Sequence, residues 1–338
     1  MQFGLFSNGQ RRNAVAKTSY EEDLQEIILA DQLGIDEAWI SEHGVFVHYH
    51  APDQLPSADL LICKAASLTK RIRMGPGIRP LPYFHPLQVA TEVAVCDHLT
   101  DGRYMAGFGA GIGAGGHLRD KLPASHQEIM REAVDIILKA WTESEPFDWN
   151  GRIWQGKNWK IIPQPLTRPH PAVGIACSSS DKTLEFAAEK GFFPLVSWTN
   201  PAEQIAAMIE TYLGTPNASD PPNRERIRVA RYVYVADSLE QAKSDLRDVD
   251  FVPVRGGKRL DPHIPPGGTI EDVTLDRLID RGILMVGPPE RVYGQIRDFY
   301  EKTGGFGTLL LVTGKDWGTN EQRAESMRRF MTEVAPRL

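Results

Sequence analysis

The stretch from Ile72 to Gly113 constrains the fold most, because it sets a strand, a helix and a second strand in close succession. Arg71-Ile72-Arg73-Met74-Gly75-Pro76-Gly77-Ile78 reads as a short strand halted at a Pro/Gly break. Leu87, Ala90, Ala94 and Leu99 then recur near helical spacing, with Pro86 where a first turn accepts proline. Asp101-Gly102 turns the chain into Arg103-Tyr104-Met105-Ala106-Gly107-Phe108-Gly109, a strand that dissolves into glycines. A unit of this size pairs its strands in parallel through a right-handed crossover. A glycine-rich tip at a strand's carboxyl end lets a flat group or a phosphate approach the backbone, and such folds hold ligands there.

The same alternation runs through the chain. Eight strand candidates, at Phe3, Ala38, Ile72, Tyr104, Val173, Pro194, Val229 and Leu309, are each followed by at least one helical pattern. That order predicts an α/β protein folded as a single (β/α)8 TIM barrel rather than an open doubly wound sheet. No composition shift or flexible linker divides it, so residues 1–338 are read as one domain. Two interruptions, 146–171 and 248–285, are expected as insertions at the barrel's carboxyl-terminal face. The first is rich in Trp, Gly and Pro and reads as an irregular or hairpin excursion. Within the second, Phe251 to Thr274 has no period and reads as a mobile lid.

Composition narrows the function classes. The 338 residues, 41% of them hydrophobic, suffice for one large core. A net charge of −6, with both signs well mixed and no basic stripe, argues against nucleic acid as a partner. The chain enters its first strand, Gln2 to Phe6, without a basic or apolar leader, and no apolar run approaches the ~20 residues of a membrane span. Cys63, Cys96 and Cys177 are odd in number, far apart and without CxxC spacing. A disulfide framework or zinc knuckle is therefore not expected, and a cytoplasmic location is.

Several positions carry candidate chemistry. The segment Gly107 to Gly116 contains a formal GxGxxG at Gly111, but no acidic strand end follows at the spacing a dinucleotide fold needs. It reads better as a close-approach loop for a flat cofactor. Ser178, Ser179 and Ser180 lie between a strand and a helix, where hydroxyls and free amides form an anion site. Ordinary N-capping by one serine is the alternative. Glu42-His43 closes the second strand, where an imidazole titrating near neutrality can do acid/base work. His48 and His50 lack a third ligand, and no metal is expected.

With those residues laid out, the chain resembles the bacterial luciferase-like, flavin-dependent monooxygenases over nearly its whole length, on their limonene/alkanal monooxygenase branch. The resemblance rests on Ala38-Trp39-Ile40-Ser41-Glu42-His43, His85-Pro86, Asp97-His98-Leu99-Thr100-Asp101-Gly102-Arg103-Tyr104, Ile162-Pro163-Gln164-Pro165 and the serines at 178–180. Gly304-Gly305-Phe306-Gly307-Thr308-Leu309-Leu310 with Asp316-Trp317 extends it to the carboxyl end.

The resemblance implies a (β/α)8 barrel in which reduced flavin (FMN ahead of FAD or F420) and O2 form a C4a-peroxyflavin that oxygenates a small apolar organic substrate. It implies His43 as the catalytic residue. It assigns Glu42, Pro76, Gly77, Phe108, Gly109, Ala110, Ser178, Ser179 and Ser180 to the cofactor, with a non-prolyl cis peptide just after Pro76. Phe6, Tyr83 and Trp198 are assigned to the substrate. The family often carries an arginine where this chain has Ala110, which implies weak binding of oxidised FMN. No reductase or nicotinamide motif is visible, so electrons are expected from a separate NAD(P)H:flavin reductase, with the oxygenase a homodimer or larger homo-oligomer. Two alternatives stand beside this reading: an F420-dependent hydride-transfer oxidoreductase on the same barrel, and a non-catalytic flavin-binding relative.

Overall fold

A computed structural model describes residues 1–7, 16–42, 55, 57–111, 124–178, 180–216, 218, 221–246, 258–314 and 317–338, over 258–260 as backbone alone. In chain order the elements begin with β1 (Gln2–Ser7), α1 (Ala16–Leu33), β2 (Glu37–Ile40), α2 (Ala58–Ala66), β3 (Arg73–Pro76), β4 (Arg79–Pro80), α3 (Pro86–Leu99), β5 (Met105–Gly109) and α4 (His126–Thr142). A hairpin of β6 (Phe147–Asn150) and β7 (Gln155–Trp159) precedes β8 (Ala172–Cys177), α5 (Asp181–Glu189), β9 (Phe193–Val196), α6 (Ala202–Leu213), β10 (Arg228–Val235) and α7 (Leu239–Asp245). The chain closes with α8 (Leu275–Asp280), β11 (Leu284–Gly287), α9 (Pro289–Lys302), β12 (Thr308–Thr313) and α10 (Asn320–Arg329).

The eight expected strands form a parallel ring. Pairing runs β3-β2-β1-β12-β10-β9-β8-β5, and a bridge from Met74 to Tyr104 joins β3 to β5. The sequence reading missed β11, which pairs in parallel with the upper half of β10, Tyr232 to Leu284 and Val235 to Gly287. Its first residues fall inside the interval 248–285, and the Phe251–Thr274 lid assignment lies partly outside the described residues. The first interruption contains the antiparallel β6–β7 hairpin. Its turn reaches α4's amino-terminal half, at the barrel's carboxyl end, where Arg152 pairs with Glu128 at 2.5 Å.

Strand alternation decides which residues face the barrel's interior. Along β10, Val229, Val233 and Val235 pack into the layer between strands and helices, whereas Ala230, Tyr232 and Tyr234 pack inside with Phe6, Trp39 and Leu310. The helices cover the outer layer with apolar stripes. On α4 a capping box of Ser125 and Glu128 starts the helix, and Ile129, Ala133, Ile136, Ile137, Ala140 and Trp141 are buried. On α3 the buried positions include Val89, Ala90, Val93, Ala94 and Cys96, whereas Leu99, which shares the helical spacing of Ala90 and Ala94 in the sequence, is 60% exposed.

Trp39 plugs the interior. It is fully buried, and its indole donates to Glu37 Oε1 at 2.9 Å. Glu37 in turn accepts from Arg228 Nε and Nη2, both at 3.2 Å, closing the barrel's amino-terminal floor. A Cβ on Gly107 or Gly174 would come within 2.9 or 2.8 Å of the indole, so those glycines are the room the ring occupies. Burying a side chain of this size is worth about 4–6 kcal/mol of transfer free energy. Above the plug, at the strands' carboxyl ends, the interior opens.

Candidate active site

That opening is a cavity of about 210 Å³. Strands on both sides of the ring supply its wall: Phe6 from β1, Glu42 after β2, Gly77 and Ile78 after β3, Gly109 and Ala110 at β5, Ser178 after β8, Trp198 after β9. Phe6 and Trp198 meet at 5.3 Å between ring centroids, and Trp198 meets Tyr232 at 6.2 Å. Tyr83, from the short turn after β4, completes an aromatic rim. The peptide between Gly77 and Ile78 is cis, one bond beyond the position expected from the sequence. A Cβ on Gly109 would lie 2.6 Å from Ile78, so backbone itself forms this part of the wall.

One corner of the cavity is ionic. Glu42, its side chain buried, receives the Ala58 N–H on Oε2 at 3.3 Å and faces Arg79 Nε at 3.9 Å across Oε1. Arg79 is shared among three carboxylates: it also contacts Asp59 Oδ2 at 3.1 Å and Glu92 Oε2 at 2.5 Å. Its guanidinium stands 4.8 Å from the centroid of Phe84. Tyr104 donates to the other oxygen of Asp59 at 2.6 Å. One cation cannot neutralise three acids, two of them with buried side chains. Burial raises the Glu42 carboxyl to about 7 against the pull of Arg79, with the Asp59 charge adding to the rise. Burial also raises Asp59, again opposed by Arg79. The wall thus carries a carboxylic acid poised to keep or lose its proton near neutrality.

The opposite corner suits an anion. Ser178 lines the cavity, and Ser180 stands in extended conformation at the amino end of α5, its side chain making no capping hydrogen bond. The first amides of such a helix have no intrahelical partner. Asn200 Nδ2 donates to Ser178 O at 2.6 Å and fixes the loop. Gln127 of α4 reaches the cavity, and Arg131, one turn further along α4, donates to Lys182 O at 2.5 Å.

The structure brings Phe6, Glu42, Gly77, Tyr83, Gly109, Ala110, Ser178 and Trp198 together on the cavity wall. It directs Phe108 elsewhere, because alternation along β5 turns that ring outward onto Trp141, 6.3 Å away and stacked. Pro76 is buried at the end of β3, its carbonyl against Gly107, and Ser180 stands just behind the wall. His43 and Ser179 lie outside the described residues, as do His48, His50 and Asp316. Sequence reasoning missed Asp59 and Arg79. The available signal was charge inside apolar runs: Asp59 within Ala58-Asp59-Leu60-Leu61-Ile62, and Arg79 between Ile78 and Pro80.

Residues 1–306 match the sequence profile of the luciferase-like monooxygenases. The chain is 32% identical to 4-hydroxyprotoasukamycin monooxygenase of Streptomyces nodosus subsp. asukaensis, across 94% of this chain and 86% of that protein. It is 28% identical to limonene 1,2-monooxygenase of Rhodococcus erythropolis, across 99% of this chain and 86% of that one. Its fold superposes on the oxygenating constituent of 3,6-diketocamphane monooxygenase from Pseudomonas putida, a type II Baeyer-Villiger monooxygenase solved with FMN. The TM-score is 0.86, with 25% identity, covering 100% of this chain and 98% of that one.

Proposed function

The chain belongs to the luciferase-like monooxygenases, and from that premise we propose that it uses reduced FMN and O2 to insert one oxygen atom into a small apolar organic substrate. The observation that carries this reading is the cavity: aromatic on one side, backbone on another, with Glu42 the one carboxylic acid on its wall among the described residues. Its residues fit a flavin, since a planar ring system can lie against the backbone at Gly77 and Gly109 while the serines beside α5 accept the phosphate end. Bound there, reduced FMN would supply the electron pair that activates O2.

The chain's own residues have separate tasks in this reading. Phe6, Tyr83 and Trp198 exclude water and contact the substrate. His43 moves a proton beside the reacting atoms, and Glu42, adjacent in sequence, holds one on the cofactor's side. Gly77, Gly109 and Ala110 give the ring its backbone seat, with Pro76 and Phe108 setting the two strand ends. Ser178, Ser179 and Ser180 hold the phosphate. The related protein described as an oxygenating constituent supports a separate NAD(P)H:flavin reductase as electron donor.

The active form is proposed to be a homodimer or larger homo-oligomer, supported by the exposed Leu60 of α2 and Val95 and Leu99 of α3. None of the three cysteines is in a disulfide, which supports a cytoplasmic location, and no helix among the described residues is long and apolar enough to cross a membrane.

The test supplies chemically reduced FMN, isotopically labelled O2 and a panel of small cyclic ketones and alkenes. Product carrying one labelled oxygen is expected. Unlabelled product, or turnover with reduced F420 in the absence of O2, would remove the reading.

A further inference from the structure

Cys63 and Cys96 are 33 residues apart in sequence, yet their sulfur atoms meet at 3.6 Å where α2 packs on α3. Cys96 is buried and Cys63 half-buried in the single chain, where Cys63 borders the same α2–α3 face as Leu60, Val95 and Leu99. Each cysteine follows an acid of the Arg79 bridge by one helical turn: Asp59 precedes Cys63 on α2, and Glu92 precedes Cys96 on α3. The thiols therefore lie one turn from the ion pairs that tie both helices to Arg79 and, through Arg79, to Glu42 on the cavity wall.

We propose that Cys63 and Cys96 are an oxidisable pair that forms an intrachain disulfide, pinning α2 to α3 behind the cavity. The oxidant is hydrogen peroxide or another two-electron oxidant of its class. Cys63 sulfur attacks one peroxide oxygen, the O–O bond breaks, and one water leaves with a sulfenic acid on Cys63. Cys96 sulfur then attacks that sulfur, the S–O bond breaks, and the second water leaves. Two thiols and one peroxide give one disulfide and two waters, the sulfurs losing two electrons and two protons to the peroxide.

The surroundings set which sulfur reacts first. The sulfur contact with Cys96 lowers the Cys63 thiol below its usual range, opposed by burial and by Asp59. The same contact raises Cys96, and Cys63 is the less buried of the two, so an oxidant meets Cys63 first and Cys96 resolves it. The other charged and titratable groups around the pair are Asp59 on α2, Glu92 on α3, Arg79 on β4 and Tyr104 beside β5. Cys177 is an internal control: it is fully buried on β8, and burial pushes its thiol up to about 12.

The test treats the full chain with hydrogen peroxide and maps peptides without reduction by mass spectrometry. A Cys63–Cys96 cross-link two hydrogens lighter than the reduced peptides is expected, reversed by dithiothreitol, with Cys177 still alkylatable. Before oxidation, Cys63 should react with iodoacetamide at least about tenfold faster than Cys177. Cys63→Ser and Cys96→Ser should each abolish the cross-link, and Cys96→Ser should leave Cys63 as sulfenic acid. A disulfide between Cys63 residues of two chains would overturn the proposal. So would oxidation of Cys177 ahead of Cys63, or survival of both thiols at doses that oxidise free cysteine. The wild-type map decides even if a serine variant does not fold, and none of these readouts depends on the proposed oxygenation.

Discussion

Replacing Glu42 by glutamine should change how the stability of the chain depends on pH. The carboxyl is buried beside one arginine that two other acids share, and its folded value rises from 4.5 to about 7. At about 1.4 kcal/mol per pH unit, ionisation then costs the folded chain about 3 kcal/mol more than the unfolded one. The folded state binds the extra proton between these values. Its contribution is therefore fully present below about pH 4.5 and is lost as pH rises through about 7. Glutamine keeps the shape and carries no charge at any pH. Urea unfolding followed by tryptophan fluorescence, from about pH 4 to about pH 8, should show wild-type stability falling by about 3 kcal/mol relative to Glu42→Gln. Asp59, also raised, titrates in both chains and cancels to first order. A difference constant within about 0.5 kcal/mol across that range would refute the charge argument.

Arg79→Met should destabilise the fold by about 3–5 kcal/mol at pH 8, and by less at pH 5 where Glu42 holds its proton; the same unfolding series reads both. Oxidised FMN should bind weakly, with the protein purifying largely colourless. Ser178→Ala should weaken flavin binding further, by about 0.5–1.5 kcal/mol in a fluorescence titration, and unchanged affinity would remove the phosphate assignment. Gly107→Ala should cost more than the about 1–3 kcal/mol usual for overpacking, since its Cβ would fall 1.7 Å from the Pro76 carbonyl oxygen; a soluble variant with unaltered melting would contradict that packing. His43→Ala should cut turnover by about 10²–10⁴-fold while the melting temperature moves little, and the reverse pattern would make the residue structural.

Much of the architecture follows from local pattern. Short apolar runs at Phe3 to Phe6, Val229 to Val235 and Leu309 to Val312 mark buried strands, and the helical stripes between them require parallel crossovers, so a barrel follows from neighbouring residues alone. The short strand at Leu284–Gly287 escaped because four apolar residues carry too little period to separate strand from loop. Of the candidate site, the positions that strand ends deliver were readable, among them Glu42, Gly77, Gly109 and Ser178. Phe108 was not, because its orientation depends on the inward or outward phase of β5 within the ring. Nor could sequence reveal that Arg79 serves Glu42, Asp59 and Glu92 at once, or that Cys63 meets Cys96. Periodicity is written in the spacing of neighbours, but a shared charge or a thiol pair exists only where separate helices and strands converge. That convergence is set by packing of the whole barrel, and no local segment encodes it.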